Sequence, residues 1–300
     1  MFNVTVFCFL ASYLVAFGLE LTRLLKRNRI SRLVMTGFAV AGLVAHTWYL
    51  LNRHQQTHLP PLLSSTHDWM LVLAWVLVLF YVFLLLILSI TKQDLAVGVF
   101  ALPVVLLLVA SAYFLNQEPG GAIALERARR GWGMLHAALL VFGMTTGAAG
   151  LVSGIMYLIQ HRRLRTRHAE STGLKMPSLA RLAQVNRWSM TLTFFLLTLG
   201  FASGIYLGLA PAGEDRARFA FGDPVVIGSA IVWLLFAGLF LRLLAQHSPA
   251  GKQVAWMTIS GCGFLLATLL GLQLVTGNIH ARGAAPRHTM RVSHSTGGAA

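Results

Sequence analysis

The sequence predicts an all-α, polytopic membrane protein: a bundle of about eight transmembrane helices with both termini external. Three observations predict it. Hydrophobic residues make up 56% of the 300 residues and charged residues only 11%, against about 25% charged in an ordinary globular domain, too few to surface a soluble enzyme. Apolar stretches of the ~20 residues that a bilayer core demands of a helix recur along the chain. The basic residues behind the net charge of +15 fall between those stretches, and no nucleic-acid-binding motif accompanies them. The expected partners therefore include the lipid bilayer and no nucleic acid. The lack of a Gly-X-Y period and the presence of only two cysteines exclude collagen-like and disulfide-framework readings.

The eight expected spans are residues 4–22, 33–52, 69–90, 95–115, 133–159, 188–210, 225–245 and 254–276. Fifteen of the 24 Lys and Arg residues, from Arg23 to Lys252, fall on one face, and nine, from Arg53 to Arg291, on the other. Short-loop basic bias sets orientation, so the richer face is expected to be cytoplasmic. Residues 1–130 then form four N-terminal transmembrane helices, 131–280 a four-helix membrane core, and 281–300 a disordered external tail rich in Gly, Ala, Ser and Arg.

The first span opens on Met1-Phe2-Asn3 without a basic n-region, which reads as a retained helix. The second carries His46. The outer segment Asn52–Asp68, with His54, His58, His67 and Pro60-Pro61, is expected to be a loop, as is Asn116–Gly131. Gly143, Gly147, Gly150 and Gly154 on span five and Gly200, Gly204 and Gly208 on span six lie at helical spacing; small residues let backbones approach in lipid, so these spans are expected to pack together. In the cytoplasmic segment His161–Arg187, Lys175–Leu179 is expected to start a short interfacial helix capped by Ser178. Asp223-Pro224 reads as the cap and first turn of span seven. Cys8 and Cys262 form no CxxC pair and are expected to be packed thiols.

Ionisable side chains inside spans are functional hypotheses by default. His46 is expected to be the one well-buried example. His136, near the start of span five, and His280, just past span eight, face the same leaflet in this topology. Two neutral imidazoles from different elements, with aromatic walls such as Trp132, Phe219 and Phe221, are what a bis-histidine haem requires. Each imidazole is equally explained by a hydrogen bond to a loop carbonyl. No nucleophile, positioned general base or redox cysteine pair accompanies them, so a binding and delivery role is expected rather than a catalytic one.

Several segments resemble the cytochrome c assembly family, whose members include the CcsA subunit of the system II haem-handling complex and HemX-like inner-membrane proteins. They are Gly133-Met134-Leu135-His136-Ala137-Ala138-Leu139, then Tyr157 to Leu164, Phe221-Gly222-Asp223-Pro224 with Trp233-Leu234-Leu235-Phe236, and Gly277-Asn278-Ile279-His280. The resemblance runs from about Trp132 to His280, half the chain, with a looser match at His46 and spans one to four. Gly222, Ala220 and Gly228 stand where the family has tryptophans, Val225 and Val226 replace a Lys-Glu pair, and Leu241 stands where longer members place a second intramembrane histidine.

The resemblance implies a multi-pass protein of the cell inner membrane that binds haem, of b type, in c-type cytochrome assembly. His136 and His280 would be axial ligands, with Asp223, Trp132, Phe221 and His46 as further cofactor-binding candidates. A CcsB-like membrane subunit and apocytochrome c are the implied partners. The alternative is a HemX-like regulatory or scaffolding protein of haem metabolism that holds no haem and works through His161–Arg187.

Overall fold

A computed structural model describes residues 5–25, 29–91, 93, 95–115, 117, 131–165, 175–209, 224–245 and 251–283. Among them lie helices α1 (Val6–Leu25), α2 (Arg29–Thr57), α3 (Pro61–Ser64), α4 (Thr66–Ile90), α5 (Gly98–Ala112), α6 (Trp132–Arg165), α7 (Leu179–Leu209), α8 (Pro224–Ala245) and α9 (Gly251–Gly283). A helix falls at each expected span. Six of them (α1, α2, α4, α6, α7 and α8) are long and apolar enough to cross a membrane. Large side chains such as Phe83, Leu107, Phe195, Leu234 and Leu244 are exposed around the bundle, a band of apolar surface that water would not tolerate and lipid requires. This is a multi-pass membrane protein.

The long helices alternate in direction. One end gathers the start of α1, the end of α2, α3, the starts of α4, α6 and α8, and the ends of α5, α7 and α9; it holds His54, His67 and His136, and is called here the histidine end. The opposite, basic end carries Arg32, Arg162, Arg163, Arg165, Lys175, Arg181 and Lys252. There Arg32 Nη2 donates to the Gln93 carbonyl at 2.8 Å, and Ala96 N donates to the Lys175 carbonyl at 3.0 Å, tying the α4–α5 connection to both halves of the chain.

Helices α4 and α6 are the most enclosed. The largest apolar core is built on α1, α2, α4 and α5 and extends to Val141, Met144 and Ala148 of α6. Two smaller clusters pack α6, α7, α8 and α9, around Met190, Phe236 and Met257 and around Val152, Met156 and Leu182. Helix α8 packs on α7 and α9 and is the most exposed of the spans.

Several expectations are corrected. Asn52–Asp68 is not a loop: α2 runs to Thr57, α3 follows, and α4 starts at Thr66 with Ser65 Oγ accepting from Asp68 N at 3.1 Å. His67 and Asp68 are thus helical and fully buried. The tight reversal is made by His58, whose φ of 54° is unusual for a residue with a Cβ. Span 95–115 yields only the 15-residue α5, with Pro103 inside it; at 1.5 Å per residue that is shorter than a bilayer core of about 30 Å. Ser178 caps no separate interfacial helix. It precedes the continuous 31-residue α7 and accepts from Arg181 N at 3.4 Å.

His46 is joined by Glu20, Arg23, His67 and Asp68 as buried ionisable residues, so it is not the only one. Cys262 is buried but Cys8 is exposed on α1, where an apolar thiol meets lipid rather than protein. Helix α9 runs through His280 to Gly283, three residues into the expected tail; the remainder of that tail lies outside the described residues.

Candidate functional site

The geometry around His136 begins with glycine. Helices α6 and α7 run antiparallel in the most extensive helix contact of the molecule. A Cβ at Gly143 would meet Leu197 at 3.1 Å, one at Gly147 would meet Thr193 at 3.6 Å, and one at Gly200 would meet Leu140 at 2.9 Å. A regular zip of small residues against side chains therefore joins the two backbones. Hydroxyls bridge it: Thr146 and Thr193 are 2.9 Å apart, and buried Ser153 bonds to Asn186. Helix α9 completes the arrangement, since a Cβ at Gly150 would meet Ser189 and Thr258 at 3.1 Å and Cys262 at 3.2 Å, and one at Gly154 would meet Ile259 at 2.7 Å. The expected packing of spans five and six is present, with α9 sharing the same glycines.

His136 sits on this zip one turn into α6. Its Nδ1 lies 2.8 Å from the Gly200 carbonyl and 3.1 Å from Ser203 Oγ, both on α7. A carbonyl only accepts, so Nδ1 carries a proton. The imidazole lies against the α7 backbone at Gly204, where a Cβ would be 2.8 Å from Cε1. One turn earlier, Trp132 packs on Tyr206 with ring centroids 5.1 Å apart, both rings half exposed at the histidine end.

His280 lies on the last turns of α9. Asp223, Phe219 and Phe221 lie outside the described residues; Pro224 does open α8. Trp233 is an internal packing residue of α8, stacked on Phe201 at 5.7 Å and donating from Nε1 to Thr198 Oγ1 at 2.9 Å.

His46 belongs to the other half of the bundle and is not brought to His136. It is fully buried, stacked on Phe9 at 4.1 Å with 2° between planes, and its Nδ1 is 3.2 Å from Tyr13 Oη. Its Nε2 has no hydrogen-bond partner among the described residues. Leu241, the position compared with a second intramembrane histidine, is exposed on α8.

Sequence reasoning missed a second polar constellation at the histidine end. His67 donates from Nδ1 to the Ala112 carbonyl at 2.7 Å and accepts at Nε2 from Tyr49 Oη at 3.1 Å. Arg53 binds Asp68 in a fork, Nε to Oδ1 at 2.9 Å and Nη2 to Oδ2 at 3.0 Å, and reaches the Gln117 carbonyl at 2.9 Å. Ser64 Oγ donates to Asp68 Oδ2 at 2.7 Å. The available signal was Ser-x-x-Asp at Ser65–Asp68, a helix start that places His67 and Asp68 inside a helix. A second missed pair, Glu20 and Arg23 at 2.8 Å, was visible as opposite charges at i,i+3.

Residues 63–280 match the family described as Cytochrome C assembly protein. That is well over half of the sequence. The chain belongs to the cytochrome c assembly protein family. The match begins upstream of the Trp132 boundary expected from motifs, taking in α4 and α5 and hence His67 and Asp68, and leaving α1, α2 and His46 outside. A member of this family acts in c-type cytochrome biogenesis, and the family is associated with haem handling. Comparison with curated proteins and with solved structures gave no match.

Proposed function

We propose that this cytochrome c assembly protein binds haem at its histidine end and presents or relays it during c-type cytochrome assembly, with His136 and His280 as axial ligands. The observation that carries the reading is the placement of His136 in a chain of this family: its Nδ1 donates to the Gly200 carbonyl, which orients the imidazole at the histidine end, as ligating imidazoles are commonly oriented by such a bond. When bound, haem supplies the iron that two imidazoles can hold and the vinyl groups that an apocytochrome's cysteines can attack. The residues of this chain hold and orient. Helix α7 holds the His136 ring, the last turns of α9 carry His280, and the half-exposed Trp132 and Tyr206 offer an aromatic wall. Asp223 and Phe221, outside the described residues, are further cofactor-binding candidates.

Orientation follows from the charge distribution, with the basic end cytoplasmic, both termini external, and the inner membrane as location. A CcsB-like subunit and apocytochrome c are the proposed partners at the histidine end. His46 is not assigned to this haem, because it lies in the other half of the bundle.

The test is a reduced-minus-oxidised visible spectrum of detergent-purified protein with pyridine haemochrome quantitation. A bis-imidazole b-type spectrum, lost in both His136→Ala and His280→Ala, is the expected result. Haem-free protein from haem-replete cells would instead favour the scaffolding role, with the segment 161–187 as the working surface.

A further inference from the structure

Two helix starts at the basic end are built alike. Helices α5 and α9 each open on a glycine, Gly98 and Gly251, and the hydroxyl end of a buried tyrosine lies against each. A Cβ at Gly98 would stand 3.1 Å from Tyr81 Cζ and nearer still to its Oη; one at Gly251 would stand 2.9 Å from Tyr157 Cζ and nearer still to its Oη. Neither hydroxyl bonds to a described residue, and neither helix has an acidic residue in its first turn. The first N–H groups of a helix have no partner within it and its dipole is positive there, so such a start favours an anion. At α5 the chain supplies one. The Glu20 side chain reaches the same place, its Cγ 3.2 Å from the position of a Cβ at Gly98, and Arg23 Nη1 lies 2.8 Å from its carboxylate.

At α9 no described residue corresponds to Glu20. Among the described residues the only acids are Glu20 and Asp68, and Asp68 is held by Arg53 at the histidine end. Tyr157 is 7% exposed, so a nearly buried donor is aimed at the α9 start with nothing to receive its proton. Its surroundings offer no negative charge: the His161 ring lies parallel to it, centroids 6.1 Å and planes 10° apart, and Lys252 is exposed beside Gly251. Trp256, exposed one turn beyond Lys252, places this start at the depth of the lipid headgroups, where tryptophans gather. We infer that the first turn of α9, Tyr157, His161 and Lys252 form a phosphate-binding site at the basic end, filled by the headgroup phosphate of an anionic lipid. Tyr157 Oη donates to a phosphate oxygen, the N–H groups of the first turn face the same anion, and Lys252 neutralises its charge. The site lies at the opposite end of the bundle from the histidines and does not depend on haem.

The test uses the full-length protein, stripped of lipid in detergent and returned to nanodiscs of phosphatidylcholine with or without phosphatidylglycerol, with retained lipid read by native mass spectrometry. Wild type is expected to retain phosphatidylglycerol in preference to phosphatidylcholine. Tyr157→Phe keeps the ring and its stacking and is expected to lower that retention about tenfold, as loss of a hydrogen bond to a charged group does. Lys252→Gln is expected to lower it about fivefold. Tyr81→Phe, at the start that Glu20 already serves, is expected to leave retention unchanged, which separates a ligand at α9 from tyrosines that only pack. Calorimetric titration of inorganic phosphate into the phosphatidylcholine nanodiscs distinguishes the source of the phosphate. Phosphate binding that depends on Tyr157, without preference for phosphatidylglycerol, would support the site and overturn its lipid occupant. Equal phosphatidylglycerol retention in wild type and Tyr157→Phe, with no phosphate binding that depends on Tyr157, would overturn the inference.

Discussion

Two histidine-bearing regions share one end of this membrane protein and are built on opposite principles. In the N-terminal half, His67 has both ring nitrogens occupied, by the Ala112 carbonyl and Tyr49, while Asp68 beside it is held by Arg53 and Ser64. Such a closed network cross-links α2, α3, α4 and α5 and leaves its imidazole no capacity to bind anything further. In the C-terminal half, His136 is held through Nδ1 by backbone and hydroxyl of α7, on a surface cleared by glycine. The contrast lies in what holds each ring: His67 bridges a carbonyl of one helix and a hydroxyl of another, whereas both described acceptors at His136 come from α7.

The largest effect should come from breaking the closed network. Asp68→Ala leaves a largely buried Arg53 guanidinium without its carboxylate, and loss of one partner of a buried pair costs about 3–5 kcal/mol. Reversible unfolding in mixed micelles is expected to show that loss, with haem content per folded molecule unchanged. Next, Gly154→Leu would drive a side chain into Ile259 and the Ala255 carbonyl; overpacking of about 1–3 kcal/mol is expected, read in the same assay. Tyr49→Phe removes one hydrogen bond to His67 and should cost about 1 kcal/mol, again without change in the haem spectrum. Smallest is His58→Gly, which relieves a left-handed residue and should stabilise by up to about 1 kcal/mol. A haem spectrum altered by Tyr49→Phe would break the division between the two regions.

Much of the C-terminal half was legible in the sequence. Gly143, Gly147, Gly150 and Gly154 recur at the period of a helix face, so their packing role follows from spacing alone. His136 could be placed at a helix start and Pro224 at another for the same reason. What spacing cannot provide is the partner. Arg53 and Asp68 stand on either side of Pro60-Pro61, and that pair suggested a loop where Pro61 in fact opens a short helix and Ser65 caps the next. The closure of His67 onto Ala112 joins residues 45 positions apart, a contact no local pattern encodes. Gly204 was visible only as one glycine of a stripe; that the His136 ring lies against it appears only in three dimensions. Trp233 read as part of a haem-handling stretch because of its neighbours in sequence, whereas its indole is used in packing α8 on α7.

The central claim is that His136, and not the closed network around His67, holds haem. Pyridine haemochrome quantitation on purified wild type, His136→Ala and Tyr49→Phe tests it directly. The account predicts haem in the wild type and in Tyr49→Phe and its loss in His136→Ala, with all three folded; equal haem in wild type and His136→Ala, or none in the wild type, would contradict it.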